Sequence, residues 1–274
     1  MTTASYSPAP FWLLGAGNMG GALLRRWVEA GLDPVGVTAI DPGSPALSAG
    51  VRHLAAIPAD GEAPATLMLA VKPQLLDALS PTLAPLVGPE TLLISILAGV
   101  EIESLRARFP HARRILRVMP NTPVAIGKGV MALHGHGIDA GEAAAIEAWM
   151  RPLGLVEWIA DEALFNAVTA LSGSGPAFLF RFIDAMAKAG AALGLPADQA
   201  ARMALATVEG AAGLAAIADE PPAVLADRVA SPRGTTRAGL DVLDADAAID
   251  RLVGDTLGAA ERRGAELAAE ARGR

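Results

Sequence analysis

The stretch FWLLGAGNMGG, residues 11–21, joins an apolar run to three glycines and then to a helical pattern. Phe11, Trp12, Leu13 and Leu14 read as a buried strand, and Gly15, Gly17 and Gly20 follow in G-x-G-x-x-G spacing. Beyond them Leu23, Leu24, Trp27 and Val28 fall on one face of a helix, with Arg25, Arg26 and Glu29 on the other. Strand, glycine pattern and helix in direct succession form the context in which this motif signifies dinucleotide binding. Gly15 permits the tight turn, Gly17 lets backbone approach a pyrophosphate, and Gly20 lets helix pack on strand. Free N–H groups at the helix start, in the segment of Ala16, Asn18 and Met19, would hold the phosphates beside the positive end of the helix dipole. The competing reading is a glycine-rich turn in an ordinary α/β protein.

The totals narrow the classes. A chain of 274 residues has room for one large domain or two modest ones. Hydrophobic residues make up 52% and aromatic residues 4%, so the core is aliphatic and alanine-rich, which suits close helix packing. The formal net charge of −7, with nothing concentrating Lys and Arg, argues against a nucleic-acid partner. The absence of cysteine excludes disulfides, thiolate metal sites and a cysteine nucleophile. MTTASYSPAP at the start lacks a basic region followed by an apolar core, so no secretory signal is expected there. The longest apolar run, around Thr91 to Val100, is shorter than the roughly 20 residues of a membrane span. A soluble, cytoplasmic protein with no membrane partner is the expectation.

Along the chain, Pro34 to Ile40 reads as a second strand ending at Asp41, 21 positions beyond Gly20. That is close to where an acid takes the adenosine ribose hydroxyls of NAD, although Asp-Pro-Gly is also a common turn. Thr66 to Val71 is an unbroken apolar run of the parallel-strand type. Lys72, one of only three lysines, follows at its carboxyl end, where open α/β sheets bind ligands. It is either a solvated loop charge or a contact to cofactor phosphate or ribose. A helix from about Leu75 to Leu86, a strand Thr91 to Ile96, a short helix from Glu101 and a strand Arg114 to Met119 come next. That last strand delivers Pro120-Asn121-Thr122-Pro123, whose prolines fix the backbone around two side chains able to bond a carboxamide or a substrate. A strand near Gly129 to His134, a helix Gly141 to Met150 and a strand Leu155 to Ile159 complete the α/β part. His134 and His136 lack a third ligand candidate, so no metal site is expected.

From Asp161 onward nothing strand-like remains. Asp161 and Glu162 read as capping charges at a helix start. The segment Leu171 to Pro176 leads into a helix that is apolar almost all round, with Phe178, Leu179, Phe180, Phe182 and Ile183. Another Ala/Gly-rich helix runs to about Ala218, and the turn Ser231 to Thr236 precedes a last long helix from about Ala245. So much apolar helical surface suggests burial against a second subunit, as a homodimer or higher homo-oligomer. The expected architecture is an α/β Rossmann-like N-terminal domain, residues 1–160, followed by an all-α C-terminal domain, residues 161–274, for substrate binding and dimerisation.

Taken together, GAGNMG, VKPQ, MPNTP, SGSGP and SPRGTT resemble the pyrroline-5-carboxylate reductase family, in the same order and spacing from Phe11 to about Arg263. The pair SGSGPAF (172–178) and SPRGTTRAGL (231–240) sets this family apart from most dehydrogenases. The resemblance implies reduction of 1-pyrroline-5-carboxylate to L-proline by NADPH or NADH, with no metal. It implies that Gly15 to Gly20, Ala70, Val71 and Lys72 contact the dinucleotide, with Ala98 and Asn121 near its nicotinamide end. It also implies a substrate site from Ser231, Gly234, Thr235 and Thr236, with Ser174 and Gly175, in which backbone N–H groups take the carboxylate. The Thr236 hydroxyl would face the ring nitrogen as the catalytic contact, and the nicotinamide would lie between SGSGP and the Ser231 to Thr236 turn. Independently, a Ser-Pro-x-Gly-Thr-Thr turn entering a helix is an anion nest, or else a simple cap.

One residue departs from the family pattern: Arg233 stands where glycine is usual. If that position needs positive φ, arginine is strained by about 1 kcal/mol or more; its guanidinium could alternatively reach an anionic group. Two rival readings stand beside this resemblance. A β-hydroxyacid dehydrogenase would need a catalytic lysine early in the helix after SGSGP, where Phe178, Phe180 and Arg181 stand instead and Lys188 lies too far along. A non-catalytic NAD(P)-binding sensor would predict a degraded substrate loop, of which Arg233 is the only sign.

Overall fold

A computed structural model describes residues 8–58 and 63–272. Residues 1–7, which include most of the segment read above as no signal sequence, lie outside the described residues. The chain forms two compact units. One runs up to Ser174 and takes in the segment from Ala260; the other is Gly175–Ala259.

The first unit is built on an eight-stranded sheet: β1 (Phe11–Leu14), β2 (Val37–Ile40), β3 (Arg52–Leu54), β4 (Thr66–Leu69), β5 (Leu92–Ser95), β6 (Arg114–Pro120), β7 (Gly129–His136) and β8 (Gly154–Trp158). Its order is β3-β2-β1-β4-β5-β6-β7-β8, parallel except between β6 and β7. The order turns back at β1, so a crevice opens between the carboxyl ends of β1 and β4, where doubly wound sheets receive ligands. The central strands are buried throughout, which is why they read as continuous apolar runs.

Four helices of seven or more residues flank the sheet: α1 (Asn18–Glu29), α2 (Leu76–Leu83), α3 (Ile102–Arg108) and α4 (Ala140–Met150). Leu23, Leu24 and Trp27 of α1 are buried as expected, with Trp27 stacked on Trp149 at 4.4 Å and its Nε1–H donating to the Trp149 carbonyl. A separate core on the opposite face gathers Trp12, Leu14, Leu67, Leu69, Leu93 and Phe109. After β8 comes a short α5 (Phe165–Val168), then a π-helical turn over Thr169–Gly173.

The second unit is helical: α6 (Gly175–Ala192), α7 (Ala197–Ile217), α8 (Pro222–Val229), α9 (Thr235–Asp244) and the start of α10 (Ala248–Arg272). Gly190 of α6 faces Ala200 of α7, and a Cβ added there would meet that of Ala200 at 3.4 Å. The expected last helix begins three positions late because Asp246 (φ +50°) and Ala247 (φ +53°) break it from α9. Large apolar side chains stay exposed on this unit, among them Phe180, Met203, Ile217 and Leu252. By length and composition alone, Glu162–Ala192 and Ala197–Ile217 are each apolar enough to cross a membrane, a property the longest unbroken apolar run had not revealed.

Candidate active site

The glycines of the first turn are required by close approach. Gly15 has φ +94°, and a Cβ there would lie 2.6 Å from the Ala70 carbonyl oxygen and 3.1 Å from a Val71 methyl. A Cβ on Gly20 would collide with the Gly15 carbonyl and come within 3.1 Å of the Ala70 Cβ. Gly17 is different: nothing lies within 4 Å of where its Cβ would be, and it and Asn18 are exposed. The open space is therefore on the ligand side of the turn. No side chain caps α1 and no acidic residue stands in its first turn, so its leading N–H groups face outward uncompensated. This arrangement fits a pyrophosphate.

Asp41 sits half-buried at the carboxyl end of β2. One carboxylate oxygen accepts the Ala16 N–H at 2.8 Å and the other the Gly43 N–H at 2.8 Å, which ties the glycine turn to the end of β2. Each oxygen keeps a further lone pair for a ribose hydroxyl. Lys72 is exposed after β4, without an ion pair among the described residues. Ala98 is exposed after β5, and Gly99 (φ +75°) next to it lies against the α10 backbone, where a Cβ would be 3.4 Å from the Ala268 nitrogen. Gly15 to Gly20, Asp41, Ala70, Val71, Lys72 and Ala98 thus all lie on carboxyl-end segments of neighbouring strands.

Asn121 has a different environment from the one the prolines suggested. It is buried, its Oδ1 accepts the Val130 N–H at 2.8 Å, and its Nδ2 donates to the Ser172 carbonyl at 3.0 Å. Its amide therefore links β7 to the π-helical turn, leaving one donor and one lone pair for a ligand. Ser174 closes the first unit and Gly175 opens the second.

Asp161 caps as expected, accepting the Ala163 N–H at 2.9 Å. Glu162 stands in the same first turn but does more: it accepts the leading N–H of α3, from Ile102, at 2.8 Å and pairs with Arg117 at 2.8 Å. Arg117 is buried on β6 and lies 4.4 Å over the Phe165 ring. A buried cation costs several kcal/mol of desolvation unless paired, roughly the reason this arginine recruits both a carboxylate and a ring.

In the second unit, Ser231-Pro232-Arg233-Gly234 is a β-turn closed by the Gly234 N–H donating to the Ser231 carbonyl at 2.9 Å. Proline at the second position followed by φ +61° at Arg233 is the type II pattern, in which the third position favours glycine. Gly234 begins α9 without a side-chain cap, so the N–H groups of Thr235 and Thr236 remain available. Gly234 also has to be small, because a Cβ would strike the Ser231 hydroxyl.

Sequence reading passed over Arg237. Its Nε donates to Asp241 at 2.9 Å, Nη1 to Asp227 at 3.1 Å and Nη2 to Asp244 at 2.9 Å. Partial desolvation opposes its charge, but the three carboxylates outweigh this and hold its pKa above the ordinary arginine value. The i,i+4 spacing to Asp241 was the one visible signal.

With this geometry in hand, kinship can be assigned. Residues 162–267 match the family model for pyrroline-5-carboxylate reductase dimerisation, and residues 11–99 match one for coenzyme F420-dependent NADP oxidoreductases. A pyrroline-5-carboxylate reductase of Pseudomonas aeruginosa is 38% identical over 261 residues, covering 93% of this chain and 95% of the relative. The chain belongs to the pyrroline-5-carboxylate reductase family. A Synechocystis pyrroline-5-carboxylate reductase is 42% identical over 205 residues, 73% of this chain and 74% of that one. Among solved structures, a pyrroline-5-carboxylate reductase from Coxiella burnetii superposes with a TM-score of 0.84 at 28% identity, covering 95% of this chain and 98% of that one. A Plasmodium falciparum pyrroline carboxylate reductase with NADP bound shares the fold, with a TM-score of 0.81 at 23% identity over 96% of this chain and 99% of that one.

Proposed function

We propose that this protein reduces 1-pyrroline-5-carboxylate to L-proline, the last step of proline biosynthesis, with a reduced nicotinamide dinucleotide as hydride donor. The observation that carries this reading is end-to-end kinship with curated reductases of that name. The retained Ser231-Pro-x-Gly-Thr-Thr turn at the uncapped start of α9 agrees with it. When bound, the dinucleotide supplies a hydride to the C=N carbon.

The chain's own residues bind and orient. The α1 N-terminus and Gly17 would hold the pyrophosphate, with Lys72 on phosphate or ribose and Ala98 and Asn121 toward the nicotinamide. Backbone N–H groups of Thr235 and Thr236, in the turn shaped by Ser231 and Gly234 and together with Ser174 and Gly175, would take the imino acid. The Thr236 hydroxyl would bond the ring nitrogen. A protonated cyclic imine accepts hydride readily, so alignment is the main requirement and no acidic side chain need act at the ring.

At the adenosine end, Asp41 favours NADH, because its carboxylate would repel a 2′-phosphate and suits two free ribose hydroxyls. Asp41→Ser should raise the Michaelis constant for NADH; an unchanged NADH/NADPH preference removes the assignment. The exposed apolar faces of α6 and α7 fall within the segment matched by the dimerisation model, and we read them as covered by a second copy in a soluble, cytoplasmic homo-oligomer. Light scattering showing a monomer at micromolar concentration would end that reading. The decisive assay follows oxidation of NADH or NADPH with 1-pyrroline-5-carboxylate: turnover is expected, and its absence would refute the function.

A further inference from the structure

Arg237 stands where a cation is unfavourable. It is the third residue of α9, near the positive end of the helix dipole, and no acidic residue shares that first turn. Its guanidinium nevertheless engages on all three nitrogens, and one partner comes from another helix. Asp241 and Asp244 lie further along α9, but Asp227 belongs to α8, on the far side of the segment Ala230–Gly234. The bond from Arg237 to Asp227 therefore closes a ring around the type II turn. Arg237 is 30% exposed and its partners are mostly exposed, so each pair alone contributes little. The effect of the ring is geometric. The segment between the helices is short, and fixing the last turn of α8 to the first turn of α9 confines the turn between them.

We propose that Arg237 is a positioning residue that clamps α8 to α9 across the Ser231–Gly234 turn and so pre-organises the N–H groups that take the substrate carboxylate. The identity of that carboxylate rests on the function proposed above; the clamp itself does not. The two bonds along α9 hold the guanidinium in place, and the third one crosses the loop. Lysine could reach one carboxylate but not fork to three.

The test uses the full chain and four variants: Arg237→Ala, Arg237→Lys, Asp227→Asn and the Arg237→Ala/Asp227→Asn pair. Arg237→Ala is expected to raise KM for 1-pyrroline-5-carboxylate about three- to ten-fold, with kcat and the KM for dinucleotide little changed, the magnitude of a lost surface network. Arg237→Lys should recover part of this. Asp227→Asn is the discriminating arm, since it breaks the cross-loop bond while removing a negative charge near an anion site. KM should still rise, about two- to five-fold, and the double variant should be no worse than Arg237→Ala alone. Hydrogen exchange of the Gly234 amide, which closes the turn, should quicken in both single variants. A KM and exchange rate unchanged in Asp227→Asn, or a lowered KM, would overturn the clamp and leave Arg237 as a charge balance only. If the wild-type chain fails to reduce 1-pyrroline-5-carboxylate, the functional reading falls, while the exchange rates still decide the clamp.

Discussion

Replacing Arg233 with glycine should make the protein more stable. Arg233 occupies the third position of a type II turn at φ +61°. A side chain there crowds the backbone, at roughly 1–2 kcal/mol for a non-glycine residue in the left-handed region. Glycine removes that cost but adds freedom to the unfolded chain, which returns about 0.4–1 kcal/mol. The guanidinium is exposed and makes no hydrogen bond or ion pair among the described residues, so no folded-state contact is lost. The net gain is about 0.5–1 kcal/mol, or about 1–4 °C in Tm at the roughly 2–4 °C per kcal/mol of chains near this size. Thermal unfolding at one fixed protein concentration measures it, with Arg233→Ala as the control that removes the charge and keeps the strain. Glycine should exceed alanine. If the two variants melt together, the backbone at this position is not strained and the argument fails. Kinetics separate a second issue: a guanidinium that contacts the substrate would raise KM equally in both variants.

Other outcomes follow from the same structure. Thr236→Val should lower kcat while leaving dinucleotide affinity unchanged, measured by fluorescence titration; full activity would remove its role at the ring nitrogen. Gly20→Ala should abolish or severely weaken dinucleotide binding and destabilise the first unit by roughly 1–3 kcal/mol, because its Cβ meets the Gly15 carbonyl. Glu162→Gln keeps shape but removes the charge opposite buried Arg117, and should lower stability by about 3–5 kcal/mol in a denaturation series. A loss under 1 kcal/mol would show that the cation–π contact with Phe165 suffices.

The parts that were legible share a local cause. The glycine turn, the α1 face and the buried strands follow from periodicity and from residues whose backbone freedom is needed on the spot. β3 was missed because Arg52–Leu54 is short, polar and largely exposed at the sheet edge, so no alternation announces it. The antiparallel pairing of β6 with β7 has no signature in strands buried on both faces. The π-helical turn at Thr169–Gly173 carries no residue pattern that tells it from an ordinary helical turn. Contacts far apart in the chain were also silent. Glu162 reads as a cap until Arg117, 45 residues earlier, is brought against it. Asn121 reads as a free loop amide until the Ser172 carbonyl and the Val130 N–H arrive. Composition changes at Asp161, where the strands end, whereas the compact units separate at Gly175. Arg233 is the opposite case: the strain expected from sequence alone has its counterpart in the observed φ.

The contact among Gly15, Gly20 and Ala70 has a consequence for how such chains are recognised. The glycines are only part of the constraint, because the residue just past β4 is a wall that Gly15 and Gly20 press against, and the same approach that excludes a methyl at Gly20 limits what can replace Ala70. Substitutions at positions 20 and 70 should therefore be tied together over evolutionary time, fifty residues apart in sequence. A motif search that required a small residue directly after the second inner strand would separate genuine crevices from chance glycine clusters.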